Sequence, residues 1–262
     1  MGRRRRAHAH PPRLVHPRRH GLPGARQGAR LPGERRLSAP HAAGSARTTF
    51  RRKKERGTHD RRTIDAILDE GLVCHVGFPE DGSTVVLPTA YARCGDVVYL
   101  HGAAANAMLK TVASGAPICV TVTLLDGIVL ARSAFHHSMN YRSVVLFGVG
   151  SAVDDPDEKL RALLAIVDHM APGRSGDARP PTESELRATA VVRLPIDEAS
   201  AKVRSGGPLD ADEDMGLPIW AGVIPCGLVS GPAVVDADLP ASVRTPEYVV
   251  DPTPAPTLPD LG

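Results

Sequence analysis

The stretch that decides the fold is residues 119–148, CVTVTLLDGIVLARSAFHHSMNYRSVVLFG. Its two ends, 119–123 and 143–147, are rich in β-branched and apolar residues, a composition typical of buried strands. The middle is instead dense in polar side chains, namely Arg132, His136, His137, Ser138, Asn140, Tyr141 and Arg142. Rigid strand ends hold such groups at fixed angles to a ligand, so the pattern predicts a binding site between two strands.

Further strand-like runs surround this stretch at short spacing. Apolar and β-branched residues recur in the runs 72–78, 84–87, 97–101, 118–124, 128–132, 143–149 and 189–196. Apolar residues at helical spacing mark the segments 63–70, 107–112 and 157–170. The Asp-Gly pair at 126–127 predicts a turn, and 199–204 is a weak polar run. Strands at short spacing with a few helices predict a mainly β fold with appended helices, of the α+β class, built as a barrel or sandwich.

The charge distribution divides the chain. Residues 1–62 carry 19 Lys/Arg and 3 Asp/Glu, whereas the remaining 200 residues carry 13 and 26, so the net charge of +3 describes neither part. Residues 1–48 hold few large apolar side chains, which predicts a disordered basic arm. No aromatic residue lies among its arginines to stack on bases, which makes nucleic acid an unlikely partner. We expect one folded domain over 49–225 and an extended Pro-rich tail over 226–262.

Several classes of protein are disfavoured by what the sequence lacks. The four cysteines show no two-residue spacing, which argues against a zinc ribbon or a thioredoxin-like motif and predicts free thiols. No converging set of three or four ligands is apparent, so we expect no metal site. No apolar run approaches the roughly 20 residues of a membrane helix, and no secretory signal is visible. These features predict a cytoplasmic protein with no membrane partner.

Three further segments carry candidate ligand-binding residues. In 99–106, YLHGAAAN, small residues between a strand and a helix start let backbone N–H groups approach an anion, which predicts a phosphate seat. The run 85–91, VVLPTAY, offers Thr89 and Tyr91, and 217–225, LPIWAGVIP, holds the single tryptophan, Trp220. Each segment alone also fits an ordinary turn, strand or core residue. No nucleophilic triad is apparent, so any reaction would depend on a bound cofactor.

Together with HHSMNYRS (136–143), PGR (172–174) and SAKVRSGGP (200–208), these segments resemble the flavin-nucleotide-binding branch of the pyridoxamine 5′-phosphate oxidase-like superfamily. The resemblance covers residues 50–225. Within this branch, the chain is similar to nitroimidazole-resistance-type proteins. It implies an FMN-binding split β-barrel. The FMN-contacting residues that it implies are Thr89, Tyr91, His101, Gly102, Ala103, Asn106, Asn140, Tyr141, Arg142, Ser143 and Trp220. The chain departs from the family in having alanines and Asn106 where many relatives place Lys or Arg.

The resemblance also implies a function. Relatives are homodimers that hold two flavins at the subunit interface, so we expect a homodimer here. The expected activity is that of a flavin-dependent oxidoreductase acting on a small molecule, similar to pyridoxamine-phosphate oxidase or to a nitroreductase. Two alternatives stay open: a non-catalytic flavin-binding or haem-binding split barrel, and a deazaflavin-dependent reductase.

Overall fold

A computed structural model describes residues 45–250 of the chain. The strands are β1 (Gly57–Thr58), β2 (Val73–Glu80), β3 (Ser83–Cys94), β4 (Val97–Ala103), β5 (Pro117–Leu130), β6 (Ser138–Val149), β7 (Ser151–Ala152), β8 (Thr189–Pro195), β9 (Glu198–Arg204) and β10 (Gly222–Pro225). The α-helices are α1 (Arg61–Glu70), α2 (Ala107–Ala113), α3 (Pro156–Met170), α4 (Arg174–Asp177), α5 (Glu183–Ala188) and α6 (Glu247–Val250). Single 3-10 turns occupy Lys54–Arg56, Ala134–His136 and Asp212–Asp214.

The strands form one antiparallel sheet that curls into a half-barrel. Its order is β1-β9-β6-β5-β2-β3-β4-β8-β7, and β10 pairs with β5 at one end. The inward residues of most of these strands meet in one hydrophobic core, including Val76, Leu100, Val120, Leu146 and Leu194. The predicted mainly β fold with appended helices, a split β-barrel, is therefore confirmed.

Two helices close the core. The Asp60 side chain accepts a hydrogen bond from the Thr63 backbone N–H at 2.9 Å and thereby caps α1. Ile64, Ile67 and Leu68 of α1 are buried, as are Met108, Leu109 and Val112 of α2. A fully buried aliphatic side chain contributes about 1.5–3 kcal/mol, so these helices are part of the core and not surface additions.

A second, smaller core lies on the opposite side of the sheet. Helix α3 places Ala162 and Ile166 against Ala92 on β3, Tyr99 on β4 and Val191 on β8. A capping box formed by Thr182 and Glu185 begins α5. Because α3 packs on one side of β3, β4 and β8 and the main core lies on the other side, this part of the sheet is covered on both sides.

The other half of the sheet has an open side, which we call the outer face. It consists of the outward residues of β2, the first half of β3, β5 and β6, namely Val73, His75, Gly77, Val86, Pro88, Cys119, Thr121, Thr123, Leu125, Tyr141, Ser143, Val145 and Phe147. These residues share a side because directly paired residues of an antiparallel sheet point the same way. Many of them are half-buried or exposed.

The folded body begins earlier than the predicted boundary at residue 49. Thr48 is 3% exposed, its backbone oxygen contacts His59, and Arg47 pairs with Glu198 of β9. The assignment of 45–48 to a disordered arm is therefore wrong, because these residues pack on the outward side of β9 and β6. Residues 1–44 and 251–262, which hold the rest of the predicted arm and tail, lie outside the described residues. Within the described part, no helix is long and apolar enough to cross a membrane.

Two further predictions fail at the central strands. The Asp-Gly pair at 126–127 is no turn, because β5 continues through it with a register shift between Leu125 and Gly127. The weak polar run 199–204 lies within β9, which pairs with β6 over seven residues. Its alternating small and polar residues fit a strand with one side in the core. The sequence did not predict this strand because its residues are not strongly hydrophobic.

Candidate cofactor site

The polar segment before residue 143 belongs to β6, and this decides where its side chains lie. Because β6 begins at Ser138, successive residues point to opposite sides of the sheet. Asn140 and Arg142 point to the inner side, whereas Tyr141 and Ser143 point outward. The sequence prediction of one polar cluster therefore separates into two groups.

Asn140 is fully buried and supports a second buried polar side chain. Its Oδ1 accepts a hydrogen bond from the Arg204 guanidinium, and its Nδ2 donates to the Gly206 carbonyl at 3.1 Å. Arg204 also donates to the Gly207 carbonyl at 2.9 Å, and burial lowers the pKa of its guanidinium. This set closes the loop after β9, and in the structure it leaves the Asn140 amide no access to a ligand.

Arg142 is held by two carboxylates. Its Nε and Nη2 donate to Asp126 at 3.0 and 2.8 Å, and Nη2 also donates to Glu70 at 2.7 Å. Nη1 donates to the second Glu70 oxygen. Hydrogen bonds to Asp126 and Glu70 raise the pKa of Arg142 above its ordinary value. A phosphate would have to displace one of these carboxylates, and the role of Arg142 in cofactor binding stays a prediction.

Tyr141 and Ser143 lie on the outer face beside a basic side chain. Both are half-buried, and Ser143 is paired with Lys202 of β9 across the sheet. The Ser143 hydroxyl donates to the Lys202 carbonyl at 3.4 Å. These two predicted residues are thus placed where a ligand on the outer face would meet them.

The second predicted group lies at the end of β4. His101 is half-buried, and its Nδ1 is a buried atom without a partner among the described residues. Burial lowers the pKa of this imidazole, so its neutral form is favoured at neutral pH. A neutral ring with a vacant nitrogen can donate to or accept from a bound molecule.

Gly102 and Asn106 hold α2 in place. A Cβ built on Gly102 would lie 3.1 Å from Leu109 Cδ1, so a larger residue would push against α2. The Asn106 side chain accepts a hydrogen bond from the Leu109 backbone N–H at 3.1 Å and caps the helix. Ala103 is exposed at the turn between the two. The structure gives Gly102 and Asn106 packing and capping roles, and their contact with a cofactor stays a prediction.

A cavity of about 290 Å³ lies beside this turn. Its lining includes Ala104 and the basic side chains of Lys110, Lys159 and Arg187, together with one carboxylate, Asp154. The excess of positive charge at the cavity gives the β4-α2 turn an anion-attracting side.

The remaining predicted residues are spread apart. Tyr91 is fully buried, and its hydroxyl donates to the Leu68 carbonyl at 2.6 Å, so in this structure it is a core residue rather than a ligand-facing one. Thr89 is half-buried on β3, opposite Cys74. Trp220 is 65% exposed, and its ring lies over Gly222 at the start of β10. The exposed indole is not the core residue that a lone tryptophan usually is.

Sequence reasoning missed the partners that hold these side chains. Glu70, Asp126 and Arg204 are 72, 16 and 64 residues from the polar side chains that they bind. Such separations leave no local pattern. Sequence reasoning also expected no metal site, whereas His136, Asp210 and Asp214 place one donor atom each within 4.8 Å of one another. The Asp210 carboxylate already accepts hydrogen bonds from the backbone N–H and from the guanidinium of Arg132, each at 2.8 Å.

Comparison with known proteins places this geometry in a family. The family model described as pyridoxamine 5′-phosphate oxidase matches residues 60–203, more than half of the chain. No curated protein matches the sequence. Among solved structures, the flavocytochrome Anf3 from Azotobacter vinelandii has a TM-score of 0.75 and 41% identity, covering 79% of this chain and 96% of that chain.

Two other structures extend the comparison. An FAD and heme binding protein from Mycobacterium smegmatis has a TM-score of 0.73 and 37% identity, covering 76% of this chain and 98% of that chain. A candidate 5-nitroimidazole antibiotic resistance protein from Bacteroides thetaiotaomicron has a TM-score of 0.48 and 24% identity, covering 56% and 86%. The half-barrel, the family match and the two similarities above 30% identity agree, and the chain belongs to the pyridoxamine 5′-phosphate oxidase family of split barrels.

Proposed function

We propose that this protein binds a flavin nucleotide and a haem and transfers electrons between them. The observation that carries the proposal is the similarity, at 41% and 37% identity, to a flavocytochrome and to an FAD and heme binding protein, each covered almost completely. Haem, which the sequence left as an alternative to flavin, thus becomes a second cofactor. FAD is the flavin that we propose, in place of the FMN expected from the sequence.

The residues at the β4-α2 turn fit a flavin nucleotide. His101 offers a neutral imidazole with a vacant buried nitrogen, which suits a polar edge of a flavin ring. Lys110, Lys159 and Arg187 around the neighbouring cavity suit the negative charge of a diphosphate. These are the side chains that we propose hold the flavin.

A redox role follows from the chemistry of the two groups. A flavin exchanges electrons singly or in pairs and a haem iron exchanges them singly, so together they would connect a two-electron donor to a one-electron acceptor. The chain would supply orientation, charge and exclusion of water. We therefore propose an oxidoreductase that acts on a small molecule, in the reducing cytoplasm where its four free cysteines would remain thiols.

We also propose a homodimer, formed through an exposed apolar row that lies beyond the end of the outer face. Ile224, Ile128 and Met139 are aligned side by side on β10, β5 and β6, and they are 47%, 40% and 54% exposed. Three large apolar side chains in one row are typical of a protein interface. Light scattering should show a dimer for the wild type and a monomer for Ile128→Asp. A wild-type monomer, or a dimer that survives this substitution, would contradict the assignment.

Analysis of the bound cofactors tests the main proposal. Protein expressed with added haem precursor should show the visible bands of oxidised flavin together with a haem Soret band. Mass spectrometry of the released molecules should identify FAD. Release of FMN or of a deazaflavin would correct the flavin assignment, and a spectrum without a Soret band would remove haem from the function.

A further inference from the structure

The middle of the outer face presents a single histidine among small and apolar groups. His75 is exposed at the centre of β2. Within residues 45–250, neither of its ring nitrogens is taken up by another side chain or by the backbone. An exposed imidazole with both nitrogens vacant is available as a ligand to a metal centre.

The surface beside His75 is shallow. On the neighbouring strands its direct partners are Pro88 and Thr121. One row further along β2, Gly77 has no side chain, and a Cβ built there would lie 3.9 Å from both Cys119 Cβ and Val86 Cγ2. The floor next to the imidazole is therefore low and largely apolar, which suits the flat side of a large ring system.

A basic groove borders the same face. This groove has a volume of about 580 Å³ and is lined by Ala46, Arg47, Thr49, Phe50, Arg51, Arg52 and Lys202. Arg47 lies with its Cζ 5.0 Å from the centre of the Phe147 ring, which places the groove beside the outer face at β6 and β9. The β9 residue in line with His75 is three strands away, about 14 Å at the usual strand spacing.

We infer that His75 is the axial ligand of a haem that lies flat on the outer face, with its propionates directed toward Arg51, Arg52 and Lys202. This inference rests on the haem binding proposed above. Haem combines an apolar macrocycle, an iron that takes imidazole nitrogen and two carboxylates on one edge. The outer face offers a counterpart for each of these three parts, in an order that follows the sheet from β2 to β9.

Other donors on the molecule fit this role less well. The Cys119 thiol is close to His75 across the sheet, but burial raises its pKa and keeps it protonated. Arg47 is already paired with Glu198, so among residues 45–250 the groove cations without a carboxylate partner are Arg51, Arg52 and Lys202, the last of which donates to the Arg52 carbonyl at 3.4 Å. His137 is the strongest rival, because its Nδ1 contacts the Ser133 carbonyl at 2.9 Å and leaves Nε2 exposed. The exposed side chains beside His137 in the chain, Phe135 and Met139, are large, in contrast to Gly77 beside His75.

The test compares His75→Gly with His137→Gly, both in the full-length chain reconstituted with hemin and flavin. For His75→Gly we expect a changed Soret spectrum and haem affinity at least about tenfold weaker, since about 1.4 kcal/mol of ligand binding corresponds to that factor. Added imidazole should restore the wild-type spectrum by occupying the vacant position. His137→Gly should match the wild type in both measurements.

The groove is tested with the double substitution Arg51→Ala and Arg52→Ala. We expect weaker haem binding with an unchanged Soret position, because the iron ligand is intact. Circular dichroism and flavin content verify that each variant folds.

A wild-type Soret spectrum in His75→Gly, or its loss in His137→Gly, would overturn the ligand assignment while haem binding itself stands. If the wild type binds no haem, the proposed function fails first, so the two failures are distinguishable.

Discussion

The imidazole of His101 lies at the end of β4, and one of its nitrogens is buried without a hydrogen-bond partner among residues 45–250. Sequence analysis selected this residue because it belongs to the stretch YLHGA, through which the chain resembles its family. The structure adds a physical property, since burial lowers the pKa of the ring below its ordinary value of 6.5. Burial thus favours the neutral form of the His101 ring.

This tuning predicts how stability depends on pH. In the unfolded chain His101 takes up a proton as the pH falls through about 6.5, whereas in the folded protein it resists protonation until a lower pH. Its contribution to the free energy of unfolding is therefore fully present above the ordinary pKa of 6.5 and is lost progressively as the pH falls below that value. When the pH is lowered from about 7.5 to about 5.5, the melting temperature of His101→Gln should fall less than that of the wild type.

The matched control is His137→Gln, which changes an exposed ring. It reports the general effect of replacing a histidine ring by glutamine over the same pH range. A His101→Gln variant with the same pH dependence as the wild type would show that the ring protonates equally in the folded and unfolded states.

At the level of elements, β6 shows how far local pattern carries a prediction. The apolar half of the strand and its pairing partner were predicted because β-branched residues there are unmistakable. The half that holds Asn140 and Arg142 was predicted as a ligand-binding segment, since polar residues beside strands usually serve a site. In the structure those two side chains point inward and bind Arg204, Asp126 and Glu70. Their partners come from distant elements, so no spacing rule could reveal them.

The network around Arg142 predicts a structural effect that differs from the loss of a ligand contact. Arg142 connects the end of α1 to β5 and β6, and the Asp126 carboxylate is almost fully buried. Removal of the guanidinium in Arg142→Ala should reduce the free energy of unfolding by about 3–5 kcal/mol, because it leaves that carboxylate unpaired. Urea denaturation measures the effect.

Arg193→Ala provides the control for this experiment. Arg193 pairs with Glu158 at 3.3 Å, but its side chain is 48% exposed, so its removal should change stability by about 0–1 kcal/mol. If Arg142→Ala is as stable as the wild type yet binds flavin more weakly, Arg142 is a cofactor ligand as the sequence suggested, and the structural role is wrong.

At the scale of the molecule, the sequence indicated a split barrel and a folded region that begins near residue 49. The barrel was predictable because strand runs, turns and the family resemblance agree along most of the chain. The beginning of the body was not predictable, because Ser45 and Arg47 are held by Glu198, which is 153 and 151 residues away from them in the chain. Contacts of this kind depend on tertiary structure rather than on composition.

Two truncations test where the body begins. A chain that starts at residue 45 should be as stable as the full-length protein, as the composition of the basic arm predicts. A chain that starts at residue 51 should lose about 1–2 kcal/mol, since it lacks the ion pair of Arg47 and the buried Thr48. Chemical denaturation of the three chains decides, and equal stability of all three would mean that 45–50 contribute nothing to the fold.

The central claim is that one split-barrel chain holds both a flavin and a haem. The most direct measurement is the absorbance spectrum of the full-length protein purified after haem-supplemented expression, with both cofactors quantified after release. We expect flavin and haem in equal amounts per chain, with the flavin identified as FAD. Flavin alone, haem alone, or neither would contradict it.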